Sequence, residues 1–173
     1  AADDIHARLE IATTNATPSP MVPTAETLRR AGTMFKEAYD PHHGGFGGAP
    51  KFPQPSQPAF LLRYAKRFQD DEATRMTLHT CDRMAAGGIN DQLGGGFARY
   101  SVDAGWRVPH FEQMLYDNAQ LLQLYLDAYL VSGEPRYGVT YGDYATGAAV
   151  TAAIRKLPMP LRASKPYPRQ VVR

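Results

Sequence analysis

The amino-acid sequence predicts an all-α fold, an array of antiparallel helical hairpins, and three observations predict it. Apolar residues recur at helical spacing in several stretches, glycine- and proline-rich segments separate them, and Gly-Gly-Phe occurs twice, at 44–46 and 95–97. Each copy follows one helical pattern and precedes another, so the repeating unit is two helices plus a loop. Such hairpins cannot bury their apolar faces alone and stack on neighbours in a solenoid or a closed ring.

The elements follow in order. Residues 11–23 are rich in Thr, Ala and Pro with little to bury, and 1–23 read as a linker entering the domain. Thr24 can cap a first helix whose Leu28, Ala31, Phe35 and Ala38 form one stripe, ending before Asp40-Pro41. PHHGGFGGAPKFPQP is then a long irregular loop with tight turns. Ser56 caps a second helix with Pro58 in its first turn and Phe60, Leu61, Tyr64, Ala65 and Phe68 inward.

Asp70 or Asp71 opens a third helix, in which Ala73, Met76, Thr77, Thr80, Cys81 and Met84 make the inward stripe and Gly87-Gly88 the stop. A loop from Ile89 to Pro109 follows. The fourth helix is expected from Pro109 to Gly133 and, being apolar on nearly all sides, is expected to be the most buried. Pro135 suits the first residue of a fifth, weakened by Gly138, Gly142 and Gly147. Residues 145–173 hold prolines and bases with almost no periodicity and are expected to lie outside the fold as a disordered basic tail.

Composition excludes several function classes. At 173 residues, 43% apolar and 21% charged, the chain suits one globular domain. No apolar run approaches the roughly 20 residues of a membrane span, and the first residues lack the marks of an export signal, so a cytoplasmic protein without membrane contact is expected. Six of the nineteen Lys and Arg lie in 155–173, beyond the last acid, Asp143; the remainder, with seventeen acids, is net −4. The net charge of +2 therefore gives the folded part no basis for binding nucleic acid. Cys81, alone in a helix stripe, offers neither a disulfide nor a CxxC pair and reads as a small core residue.

The chemically dense segment runs from Gly94 to Tyr125, where three glycines lead into Phe97, Arg99, Tyr100, Asp103, Trp106, His110 and Glu112. Neither Gly-Gly-Phe loop has the spacing of a phosphate cradle. His42-His43 beside Asp40 lack a third ligand at helical spacing and read as a solvated loop, so no metal is expected. No cofactor is expected either.

GGFGGAPKFPQPS at 44–56 and GGINDQLGGGFARYSVDAGWRVPHFEQMLYDNAQLL at 87–122 resemble the thioredoxin-domain-containing family that includes spermatogenesis-associated protein 20. In that family a thioredoxin-like domain precedes an all-α toroid similar to the six-hairpin glycosidases and the N-acylglucosamine 2-epimerases. The resemblance implies that 24–144 form about two and a half hairpins of a partial (α/α)6 toroid, a fragment inactive by itself. It implies no redox role here, since no CxxC lies upstream. Ala98 and Gln113 stand where the family usually has His and Lys, and its pattern is lost after Tyr144.

By the same resemblance the loop face is a candidate site for binding or processing carbohydrate, through epimerase-like or hydrolase-like proton transfer. His110, Glu112, Asp103 and Asp91 are the candidate catalytic groups, since such chemistry needs paired carboxylates or an imidazole. Lys51, Arg99, Tyr100, Trp106 and Asp117 are the candidate substrate contacts, the aromatic rings serving as platforms for a sugar face. On a helix from Pro109, His110, Gln113 and Asp117 would share one face, and Glu112 and Tyr116 another. Catalysis, ligand binding without chemistry, and loop architecture pinned by an Arg99–Asp103 ion pair all remain open. The rival function is a non-catalytic interaction module that associates with a partner or itself through unclosed helical faces.

Overall fold

The computed structural model describes residues 3–6, 8 and 22–138. Most of the linker at 11–23, the fifth helix beyond residue 138 and the tail at 145–173 lie outside the described residues.

The chain divides into two units, residues 1–30 and 31–173. In the first, residues 3–6 and 8 are helical, and Asp4 pairs with Arg8 one turn on. Helix α1 (Ala25–Glu37) opens in this unit. The Thr24 hydroxyl accepts the Thr27 N–H at 3.3 Å, satisfying one of the donors a helix start leaves over.

The second unit holds the last turns of α1, then α2 (Ser56–Phe68), α3 (Asp71–Ala85), β1 (Tyr100–Ser101), β2 (Pro109–His110) and α4 (Leu115–Ser132). A helical turn at 135–138 follows. Gln69, left-handed at φ 55°, ends α2 by donating its N–H to the Ala65 carbonyl. Asp70 then caps α3 by accepting the Ala73 N–H at 3.0 Å, so two residues turn the chain between packed helices. Lys36 of α1 closes on that turn, 2.5 Å from Asp70 and 2.8 Å from Glu72.

The α3 stripe is buried at all six predicted positions, Ala73, Met76, Thr77, Thr80, Cys81 and Met84. The Thr77 and Thr80 hydroxyls bond the carbonyls of Ala73 and Met76 one turn back, which makes them compatible with a dry interface. Leu61, Ala65, Ala73 and Phe46 form one core cluster, with Phe35, Tyr39, Phe60 and Tyr64 against it. A larger cluster joins Leu62, Cys81, Met84, Ile89, Phe97, Trp106, Leu121, Leu124, Tyr125 and Tyr137.

The mostly helical class holds, with two corrections around α4. The helix starts at Leu115 rather than Pro109, because Pro109 and His110 are committed to β2 and residues 111–114 are not helical. Tyr100 pairs with His110 and Ser101 with Pro109, and the Arg99 N–H bonds the Glu112 carbonyl at 2.7 Å. A proline suits an extended strand edge as well as a first helical turn, so Pro109 did not decide between them. Nor is α4 the most buried helix. It buries Leu121, Leu124, Tyr125 and Ala128, while Leu115, Tyr116, Tyr129, Leu130 and Val131 stay exposed.

The Gly-Gly-Phe repeat is also a repeat of backbone geometry, and it extends back to an aspartate. In the first copy the Asp40 N–H bonds the Gly45 carbonyl and the Gly44 N–H the Asp40 carbonyl, each at 2.9 Å. In the second, Asp91 bonds Gly96 at 2.8 Å and Gly95 bonds Asp91 at 3.0 Å in the same pattern. Bridges Tyr39↔Phe46 and Asn90↔Phe97 close both loops and send each phenylalanine into a core cluster. The sequence motif is therefore Asp-x-x-x-Gly-Gly-Phe, with both glycines at positive φ in both copies.

Candidate functional site

Several of the candidate residues lie on the β1–β2 ribbon, and Lys51 pairs alongside it. Lys51 exchanges both backbone hydrogen bonds with Ser101, at 2.7 and 2.8 Å, so residue 51 lies along the free edge of β1. Its side chain is fully buried. The ammonium donates to Asp40 Oδ2 at 2.5 Å and to the Ala104 carbonyl at 3.2 Å, and lies 5.3 Å from the centre of a Trp106 ring. Desolvation pushes the Asp40 carboxyl up, but the Lys51 ammonium and the His42 and His43 N–H groups outweigh it and hold the carboxyl well below the usual range.

Trp106 is also buried, left-handed at φ 64°, and donates its indole N–H to the His43 carbonyl at 2.8 Å. The adjoining turn is built on Asp103. Its carboxylate accepts the N–H groups of Gly105 at 2.7 Å, Arg107 at 3.2 Å and Val108 at 2.7 Å, and the Ser101 hydroxyl at 3.2 Å. Desolvation opposes these bonds, yet together they depress the Asp103 carboxyl. Asp103 thus organises the turn joining β1 to β2, and the expected Arg99–Asp103 pair is replaced by Arg99–Glu112 at 3.4 Å. The cause is register: Arg99 lies across the ribbon from Glu112, whereas Asp103 faces its own turn.

On the ribbon the directly paired Tyr100 and His110 stack, with ring centres 4.7 Å apart and planes 15° from parallel. Phe52, next to Lys51, continues the ladder at 4.9 Å from Tyr100. His110 Nδ1 lies 3.5 Å from Glu112 Oε2, so one carboxylate meets both an imidazole and a guanidinium. Asp117, in the first turn of α4, feels that guanidinium too. Burial raises its carboxyl and the Arg99 charge pulls it back only in part.

The structure therefore divides the candidate residues. Arg99, Tyr100, His110, Glu112 and Asp117 come together at the ribbon and the start of α4, although the helical-face argument that linked His110 to Asp117 does not apply. Lys51, Asp103 and Trp106 lie beneath, engaged in holding the loops. Asp91 belongs to the second Asp-x-x-x-Gly-Gly-Phe loop, exposed, its Oδ1 accepting the N–H groups of Leu93 at 3.0 Å and Gly94 at 2.8 Å. Phe52 and Asp40 were absent from the sequence-based set. An aspartate at the same offset before both Gly-Gly-Phe copies was the signal for Asp40; for Phe52 only its position beside Lys51 offered one.

No family model matches the chain. It is 46% identical over 130 residues to human spermatogenesis-associated protein 20 and 50% identical over 118 residues to the mouse protein of that name. These alignments cover 72% and 66% of this chain but 16% and 14% of the relatives. The matched region of this chain is thus similar to one segment of spermatogenesis-associated protein 20, and the chain spans about one sixth of the length of the curated relatives it matches.

Proposed function

We propose that this chain is a segment of a protein of the spermatogenesis-associated protein 20 family, folded as consecutive hairpins of an (α/α) toroid, whose ribbon edge binds carbohydrate. The observation that carries the proposal is the Tyr100–His110 stack with Arg99, Glu112 and Asp117 beside it. Tyr100 lies between Phe52 and His110, so it is the outer sides of these two exposed rings that can take the apolar face of a sugar, while a guanidinium and two carboxylates match its hydroxyls. The His110–Glu112 pair supplies an imidazole and a carboxylate for proton transfer when the rest of a ring encloses the substrate. Asp91 and Asp103 fall outside the chemistry, since their carboxylates accept backbone N–H groups.

The experiment is a saturation-transfer NMR screen of the chain against mono- and disaccharides, repeated on Tyr100→Ala and Glu112→Gln. Signal from a sugar that both substitutions abolish supports the reading. Sugar signal unchanged in both variants, or none from any sugar on a folded chain, rejects it.

A second reading, a helical interaction module, is favoured by a different observation. Leu93, Phe111 and Leu115 are almost fully exposed, and Tyr116 is half exposed. Sedimentation of the chain with and without Phe111→Ser and Leu115→Ser tests it: self-association lost in the double variant supports it, and a monomer throughout removes self-association.

A further inference from the structure

We propose that Lys51 is a positioning residue for the ribbon: its buried ion pair with Asp40 sets the relative placement of the Tyr100 and His110 rings, which it does not touch. The inference deepens the reading of the ribbon edge as a binding site and rests on it for its consequence. Its test reads the rings with no ligand present, so the two fail separately.

The chain of contacts has three links. Asp40 is fixed at the head of the first Asp-x-x-x-Gly-Gly-Phe loop by the N–H groups of His42 at 2.9 Å and His43 at 3.0 Å. Its second oxygen takes the Lys51 ammonium, whose side chain has no solvent exposure and no other anion among the described residues. A buried cation with one counter-charge has one low-energy place, because leaving it means losing the partner inside a poorly polarisable interior.

Fixing the Lys51 side chain fixes its backbone, which pairs through both hydrogen bonds with Ser101. The residues next to that pair are Phe52 and Tyr100, and their rings meet at 4.9 Å. Tyr100 carries the placement across the ribbon to His110. The Lys51 bond to the Ala104 carbonyl ties the same ammonium to the turn between the strands. The ribbon is only two residues long on each strand, too short to hold its rings without such a support.

The fold contains its own control. Lys36 pairs with Asp70 at 2.5 Å and joins α1 to the α2–α3 turn, an ion pair on other elements. The experiment compares the His110 ring proton shifts in the full chain, in Lys51→Met and in Lys36→Met, with assignment by His110→Gln. Stacked on Tyr100, the imidazole protons carry a ring-current shift that depends steeply on ring placement.

The expected result is that Lys51→Met moves the His110 ring signals toward those of a free histidine while Lys36→Met leaves them in place. Unchanged His110 signals in a folded Lys51→Met chain overturn the proposal, as does an equal movement in Lys36→Met. Should Lys51→Met fail to fold, Asp40→Asn keeps an acceptor for the His42 and His43 N–H groups but removes the counter-charge of Lys51. Movement of the His110 signals there supports the proposal, and their persistence overturns it.

Discussion

Asp40 and Asp91 hold equivalent places in two copies of one loop, each with a carboxylate oxygen accepting the N–H groups two and three residues ahead. They differ in what the second oxygen meets. For Asp40 it is the buried Lys51 ammonium, together with the His43 ring Nδ1 at 3.2 Å, whereas Asp91 lies at the surface. Equal sequence motifs thus carry unequal energetic weight.

The consequence is a pair of substitutions with unlike costs. Asp40→Ala leaves Lys51 buried without its counter-charge and is expected to destabilise the chain by about 3–5 kcal/mol. Asp91→Ala removes two hydrogen bonds that water can replace, and its cost is expected to be clearly smaller. Urea unfolding of both variants decides the matter. Equal losses would mean that the Lys51–Asp40 pair adds nothing beyond the turn.

Stability should fall in acid, and the direction follows from the carboxyls. Asp40, Asp70 and Asp103 are lowered in the folded chain: desolvation raises each, but ammonium and N–H donors overcome it. Their contributions are complete above the unfolded carboxyl value, about 3.9, and are lost as pH falls below it toward the folded values. Asp117 runs the other way. Burial raises its carboxyl, so its contribution is complete below the unfolded value and is lost as pH rises through the folded one. Asp117→Asn should therefore stabilise the chain at pH 7 relative to pH 4, and melting curves at the two pH values would show the gain vanish or reverse if Asp117 were unstrained.

How much of this was legible in the sequence depended on period. The α3 stripe was readable position by position because Ala73 to Met84 follow one helical face that is buried throughout. The start of α4 was not, because Pro109 fits a helix and a strand edge equally, and the pairing of Tyr100 with His110 that decides the case is non-local. For the same reason the partners of Lys51, Arg99 and Asp103 could be named only by type. Gly87 and Gly88 read as a helix stop, yet neither has positive φ. A Cβ at Gly88 would stand 2.1 Å from the Arg107 carbonyl oxygen, so close approach of the ribbon is what requires the glycine.

Cys81 is expected to be inert while the chain is folded. It is fully buried in the larger core cluster, and desolvation drives its thiol far above the ordinary range, which removes the thiolate that reacts. Iodoacetamide should leave it unmodified in buffer and alkylate it in denaturing urea. Rapid alkylation in buffer would mean that α3 opens away from α4 on the time scale of the reaction.

Gly45 and Gly47 separate backbone strain from steric fit. Both have φ 76°, so alanine at either position meets the same left-handed penalty, about 1–2 kcal/mol. Their surroundings differ. A Cβ at Gly47 would meet nothing within 4 Å, whereas at Gly45 it would stand 2.6 Å from the Trp106 ring. Trp106 cannot retreat freely, since its indole N–H holds the His43 carbonyl and its ring lies beside Lys51. Gly45→Ala is therefore expected to cost about 1–3 kcal/mol more than Gly47→Ala, the range for overpacking a filled core. Denaturant unfolding measures the difference, and Trp106 fluorescence reports its cause. Equal costs with an unshifted Trp106 emission would mean that the loop and the ribbon are not packed as rigidly as the ion pair beneath them implies.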